Sequence, residues 1–140
     1  MEPRKLSDSY AVAPQITPED VPSLAQNGFR SIMCNRPDGE EFGQPDFAQI
    51  EAAAEAAGLE IRWVPIVSGA VTPEALEAFR TALDDMPGPM LAYCRSGTRC
   101  AMLWAITQSG TLPDDEIIAA TRAAGYDMAG VVQQMRQMRG

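Results

Sequence analysis

Residues 94–99 read Cys-Arg-Ser-Gly-Thr-Arg, directly after the apolar run Met90–Tyr93 and just before a helical-pattern segment over 101–108. These residue types at this spacing suit a nucleophilic thiolate next to a bound anion. A tight loop of successive backbone N–H groups that runs into a helix N-terminus cradles negative charge. Gly97 lets the backbone turn inward without a Cβ clash, and Arg99 can fork two hydrogen bonds onto an oxyanion. The same field pulls the Cys94 thiol below the free-cysteine pKa of about 8.5. Cys94 and Arg99 are therefore the candidate catalytic pair. Arg95, Ser96, Gly97, Thr98, Arg99 and Cys100 are the candidate anion-binding set. The competing reading is an inert cysteine buried at a turn, because free cysteine is commonly buried.

Composition removes several other chemistries. The 140-residue chain has no histidine, which excludes Ser-His and Cys-His pairs and histidine metal sites. The three cysteines, Cys34, Cys94 and Cys100, do not follow a zinc-ligand pattern. No metal and no cofactor is expected. The formal net charge of −8 offers no basic stripe for phosphate backbones, so nucleic acid is not an expected partner. Apolar runs are too short to span a membrane, and the first residues lack the apolar core of a signal peptide. A cytoplasmic location with free thiols is the expectation.

The loop must be held by the rest of the chain, which alternates short β-rich runs with longer helical patterns. Tyr10–Ala13, Phe29–Cys34, Leu59–Val67 and Met90–Tyr93 read as strands. Helix starts are signalled by Thr17-Pro18-Glu19-Asp20, by Asp46 with Gln49, and by Thr72-Pro73. Gly28 and Gly58 end the first two helices, and Pro87-Gly88-Pro89 breaks the third. Leu76, Phe79 and Leu83 form a core-facing stripe. Three further helices follow, over 101–108, 113–124 and 128–139. The pattern predicts one α/β domain over 1–140, with a mostly parallel central sheet of about four to five strands flanked by helices. Ligands of such sheets bind at the carboxyl ends of the strands, which is where residues 94–99 lie. Cys34, Trp63 and Trp104 read as core. Val131, Met135 and Met138 mark one face of the last helix, packed inward or against a second copy of the chain.

Cys-Arg-Ser-Gly-Thr-Arg resembles the active-site loops of two cysteine-dependent groups. Protein tyrosine and dual-specificity phosphatases place five residues between cysteine and arginine. Rhodanese-like sulfurtransferases use the four-residue spacing seen from Cys94 to Arg99. Pro14-Gln15, Gly28-Phe29-Arg30, Asn35-Arg36-Pro37-Asp38-Gly39-Glu40, Ala53–Leu59 and Cys94–Arg99 together resemble the phosphatase-like domain of the beta-lactamase-hydrolase-like protein family, over about residues 5–110. The resemblance implies a dual-specificity-phosphatase-like fold, for a family described both as phosphatases and as sulfur transferases. Three positions depart from those relatives. Tyr93 stands where histidine is usual, and Cys100 where serine or threonine is usual. The segment Pro65–Gly69, which should supply a general acid, contains no aspartate.

Without that acid, Asp38, Glu40 and Glu41 on the loop after the second strand are the nearest proton donors. Asp38 is the candidate acid, and Arg36 and Glu40 are candidate substrate-orienting residues. Phosphate-ester cleavage normally gains about 10²–10⁴ in rate from leaving-group protonation. Persulfide transfer needs no such acid. The spacing and the missing acid place sulfur transfer through a Cys94 persulfide first, and phosphomonoester hydrolysis through a Cys94 phosphoenzyme second. A third reading is a non-catalytic anion-binding or redox-sensing domain using Cys94 and Cys100. The expected partner is a small anionic or persulfide substrate, or a phosphoester.

Overall fold

The computed structural model describes residues 2–139. Five strands form one sheet: β1 (Arg4–Ser7), β2 (Tyr10–Ala13), β3 (Ser31–Cys34), β4 (Glu60–Trp63) and β5 (Met90–Tyr93). Their order is β1-β2-β5-β3-β4. All pairings are parallel except the β1–β2 edge hairpin. The helices are α1 (Val21–Gln26), α2 (Phe47–Ala56), α3 (Pro73–Asp85), α4 (Thr98–Gln108), α5 (Asp114–Ala123) and α6 (Ala129–Arg139), with a 3-10 turn at Pro18–Asp20 before α1. The α/β class and the mostly parallel sheet agree with the sequence pattern.

β5 lies at the centre because it is apolar on both faces, as a parallel strand covered by helices must be. Leu91 and Tyr93 point to a core layer built with Val21, Leu24, Ile50 and Ala54 from α1 and α2. Met90 and Ala92 point to the opposite layer, with Phe79 of α3, Leu103 and Trp104 of α4, Ile117 of α5 and Val132 of α6. This period-two alternation continues into Cys94, which falls in the second layer.

The capping signals act as expected. The Thr17 N–H donates to Asp20 at 2.9 Å, the Asp46 N–H to Gln49 at 2.9 Å, and the Thr72 hydroxyl accepts the Ala75 N–H at 3.1 Å. Several boundaries differ from expectation. β1 was not anticipated; its charged edge sequence Arg-Lys-Leu-Ser buries only Leu6, so it carries no apolar run to detect. The fourth strand ends at Trp63 rather than Val67: its partner β3 ends at Cys34, and beyond that point only the Val64 and Ile66 N–H groups still reach across, to the Cys34 and Asn35 carbonyls. Trp63 is 41% exposed rather than core, with its ring stacked on Phe47 at 5.0 Å, whereas Trp104 is buried. On α6 the buried anchor is Val132, and Met138 faces outward. Finally, α4 begins at Thr98, three residues before its apolar pattern starts. No helix among the described residues is long and apolar enough to cross a membrane.

Candidate active site

The carboxyl ends of β2, β5 and β3 lie side by side, with Ala13 and Cys34 both in register with Tyr93. The chain leaving β5 is stapled on both sides. Cys94 donates its N–H to the Ala13 carbonyl at 3.4 Å, and Asn35 donates its N–H to the Tyr93 carbonyl at 2.8 Å. Cys94 follows immediately and is buried.

The loop carbonyls are tied outward. The Arg95 carbonyl accepts the Gln15 N–H at 3.2 Å. The Ser96 carbonyl accepts the Tyr126 hydroxyl at 3.0 Å. With the carbonyls held away, the loop turns its N–H groups inward. Gly97 makes this possible: its φ is +90°, and a Cβ there would run into the Tyr126 hydroxyl. The Ser96 and Thr98 hydroxyls pair at 2.9 Å across the turn.

The Cys94 sulfur lies inside this turn. The Gly97 N–H reaches it at 3.1 Å. Because α4 starts at Thr98, the Arg99 and Cys100 N–H groups belong to its first turn, where no helical carbonyl is available to them. The Cys94 thiol is brought down to about 5, first by the hydrogen bond from the Cys100 thiol, and then by the N–H groups of Cys100, Arg99 and Gly97, against the opposing cost of burial. Cys100 moves the other way: burial and the neighbouring Cys94 sulfur keep its thiol protonated, so it can donate. The Cys100 carbonyl is in turn fixed by the Tyr10 hydroxyl at 3.0 Å.

Arg99 is held by a carboxylate. Its Nη1 and Nη2 donate to the two oxygens of Glu40 at 2.8 and 2.7 Å, and Nη1 also reaches the Ile66 carbonyl at 2.8 Å. Arg36, only 3% exposed, donates from Nε to Glu40 at 3.0 Å and from Nη1 to Gln15 at 3.0 Å. The fork from Arg99, aided by Arg36, holds the Glu40 carboxyl below its ordinary range. Glu40 is therefore an anion near neutral pH and has no proton to give. Asp38 is placed elsewhere: its Oδ1 accepts the Phe47 N–H at 2.8 Å and fastens the loop to the start of α2. Glu41 lies against Arg36 and Arg95. A cleft of about 500 Å³ opens over the loop, lined by Glu40, Ser68, Arg95, Ser96, Thr98 and Arg99. Its Ser68-Gly69 wall carries no acid.

The structure thus brings together Cys94, Arg95, Ser96, Gly97, Thr98, Arg99, Cys100, Glu40 and Arg36, and leaves Asp38 as a loop fastener. Tyr93 points into the opposite layer beside Cys34, where burial raises both groups. The sequence reading missed Tyr126 and the Ile66 carbonyl. Tyr126 lies 30 residues from the loop it supports, and no motif links them. A main-chain carbonyl leaves no trace in sequence at all.

Comparison with known proteins places the chain beside phosphatase-like proteins. A beta-lactamase hydrolase-like protein of Xylella fastidiosa is 34% identical over 134 residues, covering 94% of this chain and 31% of the relative. The chain thus spans about a third of the length of the curated relatives it matches. The crystal structure of a "putative phosphatase" from Neisseria meningitidis is 38% identical, covers 96% of both chains and superposes with a TM-score of 0.84. The kinase-associated phosphatase, solved with its catalytic-site cysteine substituted by serine, is 16% identical, covers 93% of this chain and 85% of its own, and shares the fold with a TM-score of 0.65. These likenesses reverse the order that loop spacing suggested, placing a phosphatase-like enzyme ahead of a sulfurtransferase. Residues 2–111 match the family described as "Beta-lactamase hydrolase-like protein, phosphatase-like domain", and the chain belongs to that family.

Proposed function

We propose that this domain hydrolyses phosphomonoesters through a Cys94 phosphoenzyme. The observation that carries the reading is the buried Cys94 sulfur set at the start of α4, which accepts the Gly97 N–H at 3.1 Å and is brought down to about 5, so that it is a thiolate at neutral pH. The thiolate attacks phosphorus, an S–P bond forms, and the P–O bond to the leaving group breaks. The loop N–H groups and the Arg99 guanidinium, positioned by Glu40 and Arg36, stabilise the phosphoryl oxygens as charge shifts among them. Water then attacks the phosphocysteine, and the thiolate leaves onto its hydrogen bonds. Cys100 supplies one of these, in the position where relatives use a hydroxyl. Because Glu40 is ionised and Asp38 is engaged at α2, the leaving oxygen departs without a strong general acid. The substrates that fit are esters with acidic leaving groups.

The test is a parallel assay of p-nitrophenyl phosphate and of thiosulfate with cyanide, using wild type and Cys94→Ser. Phosphate release that is lost in the variant, with no thiocyanate formed, supports the reading. Thiocyanate formation without phosphate release overturns it in favour of sulfur transfer.

Cys100 and Cys94, buried in the same core layer and acting on one another's ionisation, favour a second, regulatory role. Peroxide would oxidise the Cys94 thiolate to a sulfenic acid, and the Cys100 sulfur would then displace water to form a disulfide. All three cysteines are free thiols in the structure. Peptide mass spectrometry after mild peroxide should find Cys94 joined to Cys100 and recovered by reductant; two unchanged thiols would refute this role.

A further inference from the structure

Beside the catalytic cleft lies a second pocket of about 370 Å³, lined by Gln15, Arg36, Glu41, Phe42, Gln44 and Arg95. Arg95 lines both spaces, so they are adjacent. Arg36 brings a buried guanidinium to the second one. Its Nε and Nη1 are engaged by Glu40 and Gln15, but its Nη2 has no hydrogen-bond partner. An unpaired buried guanidinium nitrogen is costly. The nearest acceptor is Glu41, whose Oε1 lies 3.6 Å from Arg36 Nη2 and 3.3 Å from Arg95 Nε. The first distance is too long for a hydrogen bond. Glu41 is half-exposed and sits on a surface loop next to the fully exposed Phe42. A single carboxylate thus bridges two arginines without satisfying the buried one.

We infer that this pocket is a second anion subsite, which takes a further phosphoryl group of the substrate in place of the Glu41 carboxylate. A phosphoryl group carries more charge than a carboxylate and three acceptor oxygens, so it can bond Arg36 Nη2 and Arg95 together. The inference rests on the phosphatase reading and narrows it: the substrate class is a small molecule with a second phosphoryl group close to the one transferred. The same two arginines would then stabilise the charge on a phosphorylated leaving group, where no acid is available to protonate it.

The test uses binding, so it does not depend on turnover. Inorganic pyrophosphate and inorganic phosphate are titrated into the full chain carrying Cys94→Ser, by calorimetry. Pyrophosphate should bind about tenfold more tightly or better, as one added charge-assisted contact implies. Arg95→Met in the same background should bring the two ligands near parity, and Glu41→Gln should widen the gap several-fold. Equal affinities in Cys94→Ser overturn the inference. So does a preference that neither Arg95→Met nor Glu41→Gln alters, since it would report overall charge alone. If p-nitrophenyl phosphate is not hydrolysed but this pattern holds, the hydrolase reading falls and the subsite stands. If the ester is hydrolysed and the pattern is absent, the subsite falls alone.

Discussion

Replacing Cys100 by alanine should raise the Cys94 pKa without touching the loop amides. The Cys100 thiol is the largest of the influences that bring Cys94 down to about 5. A hydrogen bond to a charged group contributes about 1.5–3 kcal/mol, and each pKa unit corresponds to about 1.4 kcal/mol. Losing this donor should therefore shift Cys94 upward by about one to two units. At pH 7 about half to nine tenths of the variant would still be thiolate. At pH 5.5 the ionised fraction should fall from about three quarters to between about a quarter and a few per cent. The rate of iodoacetamide alkylation at Cys94, followed from pH 4 to 9 by peptide mass spectrometry, reads this directly. Cys100→Ser keeps a hydroxyl donor and should stay close to wild type. An alkylation midpoint that is the same in wild type and Cys100→Ala would refute the role given to Cys100. A wild-type midpoint near 8.5 would refute the thiolate field altogether.

Other consequences follow from the same contacts. Gly97→Ala places a Cβ against the Tyr126 hydroxyl at a φ of +90°; activity should fall at least about a hundredfold and the melting temperature should drop, since the left-handed backbone alone costs about 1–2 kcal/mol. Glu40→Gln weakens the fork that aims Arg99, so kcat/KM for an aryl phosphate should fall about tenfold or more, with the acid limb of the pH profile little moved. With no protonated acid in the cleft, kcat/KM should fall steeply from aryl to alkyl phosphates, and an engineered acid such as Ser68→Asp should recover part of the alkyl rate; equal rates across leaving groups would show that a general acid acts after all. The lowered Cys94 pKa also makes stability pH-dependent: the contribution is complete above the unfolded-state value of about 8.5 and is lost as pH falls through about 5. Thermal melts of Cys94→Ser should accordingly lose part of the slope that wild type shows between those limits.

Much of this architecture is legible in the chain because it is written locally. The caps at Thr17, Asp46 and Thr72 and the two-sided apolar character of Met90–Tyr93 fix the α/β order and the central strand. The sequence Cys-Arg-Ser-Gly-Thr-Arg shows the cradle in the same way, since Gly97 needs its conformation whatever the distant contacts are. What escaped depends on long-range geometry. Asp38 and Glu40 are two residues apart on one loop, and only tertiary packing decides that Glu40 meets Arg99 while Asp38 turns to α2. The early start of α4 is hidden in sequence because Thr98-Arg99-Cys100 has no apolar period, yet it leaves the Arg99 and Cys100 N–H groups in a first turn beside the Cys94 sulfur. The short spacing between cysteine and arginine suggests sulfur chemistry, but spacing alone does not reveal where the guanidinium is held.

The central claim is that phosphoryl groups pass through Cys94. Rapid acid quench of wild type during turnover of p-nitrophenyl phosphate, followed by peptide mass spectrometry, tests it most directly. The predicted result is a phosphoryl adduct on the peptide bearing Cys94, accumulating faster than it hydrolyses in Cys100→Ala. A persulfide on Cys94 after exposure to thiosulfate, with no phosphoryl adduct under any turnover condition, would contradict it.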